Sequence, residues 1–160
     1  MVAVWRIATD TPDYTADDLS GAGAKLSGGR WNRPGVAVVY AASSPSLACL
    51  ETLVHFGPYA LPLNRYLVRI DISDDVFARR SAFDSLVPAA KRVGWDAEPA
   101  GRVSLDLGDQ WIASLSSAVL AIPSVFIPEE RNFLVNPAHP DAASIAAVKL
   151  RRFDYDRRLR

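Results

Sequence analysis

A helix that carries a carboxylate among its apolar residues constrains this chain more than any other feature. The run 43–45, Ser-Ser-Pro, predicts a helix start, because a hydroxyl caps free backbone amides and proline tolerates the first turn. Leu47, Leu50 and Val54 then recur at helical spacing, and Glu51 projects about 40° from Leu47. Burying an unpaired carboxylate costs several kcal/mol. Glu51 should therefore have a cationic or hydrogen-bonding partner or line a cavity, and a structural ion pair is the alternative to a functional role.

A short apolar segment precedes this helix. Residues 36–40, Val-Ala-Val-Val-Tyr, are β-branched and bounded by turn residues, which predicts a buried strand. Tyr40 comes at the end of this segment, where side chains meet the rim of a sheet. It is a candidate site residue, with a plain core tyrosine as the alternative.

A glycine pair before the strand favours an anion. Gly28 and Gly29 allow backbone amides to approach a ligand, and Arg30 adds a planar fork of donors. Lys25 could add charge to the same pocket. The pattern suits a phosphate or pyrophosphate but is neither a P-loop nor a Gly-x-Gly-x-x-Gly fingerprint. A glycine turn beside a surface arginine is the alternative.

The N-terminal residues predict a strand that carries an arginine. Residues 2–8 alternate as a strand, with Arg6 on one side of an otherwise apolar sequence. This arginine needs a partner, either an anionic ligand or a buried acid, and the sequence leaves both open.

The rest of the chain predicts a mixture of strands and helices. Strands are expected at 64–72, 118–123 and 146–153, and a helix at 108–117. Glycines and prolines interrupt residues 74–109, which predicts short helices and loops that form a lid or an oligomer contact. The fold class expected is α+β, one domain over 1–160, with a mixed sheet and flanking helices.

Composition excludes several classes of protein. Lysine and arginine number 18, as do aspartate and glutamate, so no global charge attracts nucleic acid or membrane. The single Cys49 excludes an internal disulfide and suits a reducing compartment. No signal peptide or spanning segment is recognisable, so we expect a cytoplasmic protein. The two histidines and one cysteine give no zinc pattern, and no metal is expected.

Ser124 and Asn132 are two further candidate site residues in the C-terminal part of the chain. Ser124 comes directly after the strand 118–123 and could point into a cleft. No Gly-x-Ser-x-Gly elbow surrounds it, which argues against a hydrolase nucleophile. Asn132 offers an amide in the segment before the Asn-Pro turn at 136–137. The tail after residue 149 is mildly basic, which indicates a solvated strand face or a partner surface.

Several of these pieces, in this order, resemble the RES-domain family. The matching pieces run over about 4–153 and are Trp5-Arg6-Ile7, Gly28-Gly29-Arg30-Trp31-Asn32, Val39-Tyr40-Ala41, the helix from Ser46 to Glu51, Ile122-Pro123-Ser124, and residues 132–137 with His139-Pro140. By position, the family's arginine falls on Arg30, its tyrosine on Tyr40, its glutamate on Glu51 and its serine on Ser124. Asn132 is an addition to this set.

The resemblance implies a fold and an activity. The fold would be that of the ADP-ribosyltransferase toxins, and the protein would be the toxin of a bacterial toxin–antitoxin pair, blocked by an Xre-type helix-turn-helix antitoxin. The activity implied is NAD degradation, by hydrolysis or with phosphate as co-substrate. NAD is then a consumed substrate, and no recycled cofactor is required.

The residue chemistry agrees with this implication, and alternatives stay open. Glu51 could stabilise an oxocarbenium-like state, Arg30 and the glycine amides could hold pyrophosphate, Tyr40 could stack on nicotinamide or ribose, and Ser124 could bind ribose. Protein ADP-ribosylation is the second reading, and a non-enzymatic binding module with a basic tail is the third. The oligomeric state is not fixed by sequence; a homodimer contacting through Trp95 and Trp111 is an expectation.

Overall fold

One mixed sheet organises the molecule. The computed structural model describes residues 1–58 and 60–159. The strands are β1 (Val2–Thr9), β2 (Val39–Ala42), β3 (Arg65–Ile72), β4 (Ser81–Ala82), β5 (Val119–Pro123), β6 (Arg131–Val135) and β7 (Ala146–Arg152). The α-helices are α1 (Ala22–Ser27), α2 (Pro45–Leu53), α3 (Asp74–Ala78), α4 (Phe83–Leu86), α5 (Ala89–Arg92) and α6 (Arg102–Ser114). Short 3₁₀ helices cover Pro140–Ser144 and Arg157–Leu159.

The strand order is β4-β5-β6-β2-β1-β3-β7. The β4–β5 pair is parallel, and every other neighbouring pair is antiparallel. The expected α+β class with a mixed sheet and flanking helices is confirmed. Because the order is not sequential, elements from distant parts of the chain meet near the sheet centre.

The two halves of the sheet separate between β1 and β2. These strands share one registered pair, Trp5 with Ala42. β1 pairs along its whole length with β3, and β2 pairs along its whole length with β6. Beyond Trp5 the backbones of β1 and β2 diverge, which opens a space at the middle of the sheet.

Apolar residues cover both faces of the sheet. One face buries a cluster that includes Val4, Val68 and Ile70. On the other face, α2 packs through Leu47 and Ala48 onto β1 and β2. Burying side chains of this size contributes about 1.5–3 kcal/mol each. The packing fixes α2, and with it Glu51, against the point where the sheet divides.

Helix α6 packs closely against the loop before β2. A Cβ on Gly108 would lie 1.8 Å from the carbonyl oxygen of Trp31, so only glycine permits this approach. Trp111 of the same helix is buried, and its indole N–H donates to Ser117 Oγ. Trp111 is therefore a core residue, and its expected place in a dimer contact is wrong.

Several expected bounds are also wrong. β2 begins at Val39 rather than 36, because the Val36 N–H donates to Arg33 O and its carbonyl accepts from Asn32 Nδ2, which holds residue 36 in a turn. α6 begins at Arg102, six residues before the predicted 108. In α2, Leu47 is buried but Val54 is 46% exposed and follows the helix.

Strand β6 was not expected from the sequence. It pairs with β2 on one side and β5 on the other, and these partners decide its conformation. The strands predicted at 64–72 and 146–153 are confirmed within one residue as β3 and β7. In the described part of the chain, none of the helices has the length and apolar character that a membrane crossing requires.

Candidate active site

A cleft of about 820 Å³ opens where β1 and β2 diverge. Residues 6–9 of β1 form one wall, and residues 40–42 of β2 form the other. The loop 27–31, the side of α2 that carries Glu51, and the turn after β5 complete the lining. This volume is in the range of small-molecule and cofactor sites. The cleft brings together most of the residues predicted from sequence.

Glu51 lies in the cleft and is held by neutral donors. Its Oε1 accepts from Ser124 Oγ at 2.7 Å and from Asn132 Nδ2 at 2.6 Å. Among residues 1–58 and 60–159, none donates a hydrogen bond to Oε2, and none forms an ion pair with this carboxylate. The expected partner therefore exists but carries no charge. Both hydrogen bonds go to Oε1, so the other oxygen is left for a ligand.

Ser124 acts behind Glu51 rather than in the cleft. Its side chain is fully buried and does not line the cleft. Besides donating to Glu51, its hydroxyl accepts from the backbone N–H groups of Phe126 and Ile127 at 3.2 Å each. The hydroxyl is occupied, so the expected contact of Ser124 with ribose is not what the structure shows. Ser124 is a positioning residue that joins the β5–β6 turn to the carboxylate.

Asn132 reaches Glu51 from the middle of the sheet. It pairs in register with Ala42 of β2 and Ile122 of β5, and it lines the cleft. Its Nδ2 donates to Glu51, whereas its buried Oδ1 has no partner among the described residues. Exchanging the two amide atoms would place Oδ1 against the carboxylate, so the assignment follows from charge. The orientation that lets Nδ2 donate to Glu51 therefore leaves Oδ1 without a hydrogen bond from the described residues.

Tyr40 shapes the loop that carries the glycine pair. Its hydroxyl donates to Asn32 Oδ1 at 2.7 Å and accepts from the Trp31 N–H at 3.0 Å. Burial raises the pKa of the Tyr40 phenol, with Asp109 adding to the rise and these hydrogen bonds and Arg30 opposing it. A Cβ on Gly29 would lie 2.6 Å from the hydroxyl oxygen, so glycine is needed there. The ring lines the cleft, and the hydroxyl proton is already donated within the loop.

Gly28 supplies a turn that other residues disfavour. Its φ is +71°, and a Cβ there would lie 2.9 Å from Pro34 Cδ. Gly28 and Gly29 both line the cleft. Lys25, in contrast, is exposed in α1 and does not line the cleft, so its predicted contribution to the pocket is wrong.

Arg30 lines the cleft, but its guanidinium is already engaged. Its terminal nitrogens donate to Trp95 O at 3.2 Å, to Ala97 O at 2.7 Å and to Glu98 Oε2 at 2.9 Å. The predicted phosphate anchor is therefore bound to the segment 95–98. Sequence reasoning missed Glu98, which lies 68 residues from Arg30 and also lines the cleft. No local pattern links the two residues.

Arg6 lies in the cleft with part of its guanidinium unengaged by the described residues. One of its terminal nitrogens donates to the Asp18 carbonyl at 3.2 Å. Among the residues that the structure describes, no carboxylate lies within ion-pair distance of it. Burial lowers the pKa of the guanidinium, opposed by Asp18 and Tyr14, yet arginine stays charged at neutral pH. The acid considered from sequence is present as Asp18, which favours the charge of Arg6 without forming an ion pair, so room for an anionic ligand is left at the guanidinium.

A metal centre finds no support in the described residues, where no three His, Cys, Asp or Glu side chains cluster in a way that could hold an ion. The cleft thus offers a fixed carboxylate, a half-buried arginine and an apolar wall. That combination suits an anionic substrate that develops positive charge near Glu51.

Comparisons with known proteins identify one family model and several similar toxins. The family model described as "RES domain" matches residues 3–156. A protein of Sphingobium sp. (strain YBL2) named "Prs ADP-ribosylating toxin" is 59% identical over 155 residues, covering 97% of this chain and 94% of the relative. A protein named "Toxin Res" from Yersinia enterocolitica is 38% identical, covering 92% and 93%. Another "Toxin Res", from Pseudomonas putida, is 37% identical and covers 98% of both chains.

Proposed function

The chain belongs to the RES domain family, and from that membership and the geometry of Glu51 we propose that it is a toxin that transfers ADP-ribose from NAD to a protein. The observation that supports this most is the carboxylate held by Ser124 and Asn132 with one oxygen facing the cleft. Family membership also implies the ADP-ribosyltransferase-like fold, with which the divided mixed sheet is consistent.

The relative that is 59% identical supplies the acceptor. That protein is named as ADP-ribosylating Prs, and the match extends over nearly all of both chains. We therefore propose Prs as the protein acceptor here. The sequence-based preference for NAD degradation becomes the second candidate.

The proposed reaction breaks the bond between nicotinamide and ribose. Nicotinamide leaves as a neutral molecule with the bonding electron pair, and positive charge develops on the ribose ring. The Glu51 carboxylate stabilises this charge because the described residues place no cation against it. An acceptor oxygen or nitrogen then bonds to the anomeric carbon and loses its proton.

Arg6 is proposed as the anchor of the NAD pyrophosphate. A half-buried guanidinium with one carbonyl partner retains donors for a phosphate, and charge-assisted bonds of this kind are strong. It lies on the strand that forms one wall of the cleft, whereas Glu51 lies on the helix that closes the other side. NAD spanning the cleft would then meet both residues.

Replacing Arg6 with methionine tests this anchor. We expect KM for NAD to rise about tenfold with a smaller change in kcat, because a charge-assisted contact made in the ground state is lost. The measurement is steady-state NAD consumption. Arg80→Met is the matched control, since Arg80 also donates to one backbone carbonyl but lies outside the cleft. An unchanged KM in Arg6→Met would remove Arg6 from the site.

NAD degradation stays as a second candidate because the free oxygen of Glu51 could orient water or phosphate as readily as a protein side chain. The binding-module alternative loses support, because Arg152 and Arg158 of the basic tail pair with Asp154 and Asp156.

The deciding experiment offers the protein each candidate acceptor of ADP-ribose: Prs, phosphate and water. Purified protein is incubated with NAD labelled in its adenylate, with and without Prs of the same organism and with and without phosphate, and products are resolved by mass spectrometry. We expect label on Prs with release of nicotinamide. Free ADP-ribose or its 1″-phosphate without labelled protein would favour the second candidate. If no NAD is consumed under any condition, both candidate functions are overturned.

A toxin of this kind has to be blocked in its own cell. Relatives named Toxin Res support a toxin–antitoxin pairing, and we propose an Xre-type helix-turn-helix antitoxin as the partner. Co-expression tests it: the antitoxin gene should restore growth and co-purify with the protein.

A further inference from the structure

The segment 95–98 crosses the edge of the cleft beside Arg30. Its backbone carbonyls at Trp95 and Ala97 and its Glu98 carboxylate all accept from the same guanidinium. The segment has no helix or strand of its own and links α5 to α6. Arg30 thus joins two parts of the chain that are far apart in sequence.

Aromatic packing fixes one end of this segment. The Trp95 ring stacks on Trp31 with 5.8 Å between ring centroids and tilts against Phe83 at 5.7 Å. Trp31 and Phe83 are both buried. The backbone near Trp95 is therefore anchored, and its carbonyl stays close to Arg30.

The contact with Glu98 differs from the two carbonyl contacts. The side chain of Arg30 is 17% exposed, whereas that of Glu98 is 79% exposed. An ion pair with one largely exposed partner contributes little, because water and salt compete for it. The Glu98 carboxylate can therefore leave Arg30 at low cost while the backbone carbonyls remain.

Glu98 places a carboxylate against Arg30 at the wall of the cleft. It lines the cleft together with Gly28, Gly29 and Arg30, at the loop whose composition favours an anion. Among the described residues, Arg30 is the only group from which its carboxylate accepts a hydrogen bond. A carboxylate and a phosphate both match the fork of a guanidinium.

We propose that Arg30 is an anion subsite that the protein's own Glu98 occupies in the substrate-free form, so that a phosphate of the substrate enters by displacing Glu98. The identity of that substrate as NAD rests on the proposed function. The subsite itself rests on the contacts of Arg30. Glu98 is then an internal competitor, which lowers the affinity of the cleft for anions.

Removing the charge of Glu98 tests the proposal. In Glu98→Gln, we expect KM for NAD to fall about two- to fivefold, since an exposed ion pair no longer opposes the phosphate. Asp96→Asn is the matched control: it removes the same charge from the same segment, but Asp96 lies outside the cleft lining and has no hydrogen bond or ion pair with the described residues. KM should not change in the control. An equal fall in both variants would indicate a general charge effect and overturn the proposal.

A binding measurement separates this proposal from the proposed function. Inorganic pyrophosphate is titrated into each protein while tryptophan fluorescence is followed, because Trp31 and Trp95 stack beside Arg30. We expect tighter binding of pyrophosphate by Glu98→Gln than by the parent or Asp96→Asn, even if none of the proteins consumes NAD. Equal or weaker binding by Glu98→Gln would overturn the subsite.

Discussion

Replacing Glu51 with glutamine is expected to reduce transfer of ADP-ribose by about 10²–10³-fold, the usual consequence of losing one preorganised charge-stabilising group. The amide oxygen of glutamine can still accept from Ser124 and Asn132 at the place of Oε1. The fold and NAD binding should therefore persist, and the loss should fall on kcat. Activity is measured with labelled NAD, and folding by thermal unfolding.

The control for this variant is Glu129→Gln. Glu129 is exposed in the turn between β5 and β6, so the same chemical change occurs outside the cleft. Its activity should equal that of the parent. A Glu51→Gln protein that transfers ADP-ribose at the parent rate would show that Glu51 is not the catalytic carboxylate.

The sequence located Glu51 because the signal is local. A capped helix and one misplaced carboxylate lie within nine residues, and the Ser44 hydroxyl does accept from the Leu47 N–H as expected. The same pattern demanded a partner but could not name one. Ser124 and Asn132 lie 73 and 81 residues away, and only the strand order brings β5 and β6 beside α2.

For Arg30, in contrast, the sequence predicted the type of partner but not the residue that supplies it. Glycines before an arginine indicate an anion, and the structure does place an anion there, but the anion is Glu98 of the same chain. The sequence of a loop can predict that an anion binds there, but it does not identify the anion. For Arg6 the sequence leaves a ligand and an acid equally open, and the structure shows Asp18 beside it without an ion pair between the two side chains.

Asn132 offers a sharper test of how the site is built. Its Nδ2 positions Glu51, while its buried Oδ1 lacks a partner among the described residues. An unsatisfied buried acceptor costs about 1–3 kcal/mol of stability. Residues kept at such a cost are expected at functional sites.

In Asn132→Ala we therefore expect kcat to fall about 10–100-fold, because Glu51 loses one of the two groups that position it and a misplaced catalytic group can cost up to this factor. The free energy of unfolding should rise or stay within about 1 kcal/mol of the parent, because the unpaired acceptor is removed with the amide.

Asn136 is the matched control, because it is a buried asparagine in which both amide atoms have a partner. Its Nδ2 donates to Ile112 O at 2.9 Å, and its Oδ1 accepts from the Ala138 N–H at 3.1 Å. Asn136→Ala should lower the free energy of unfolding without a selective loss of kcat. The two asparagines thus separate stability from catalysis within one strand and the turn after it. If Asn132→Ala unfolds as readily as Asn136→Ala and keeps its kcat, Asn132 serves the fold, and Ser124 alone positions Glu51.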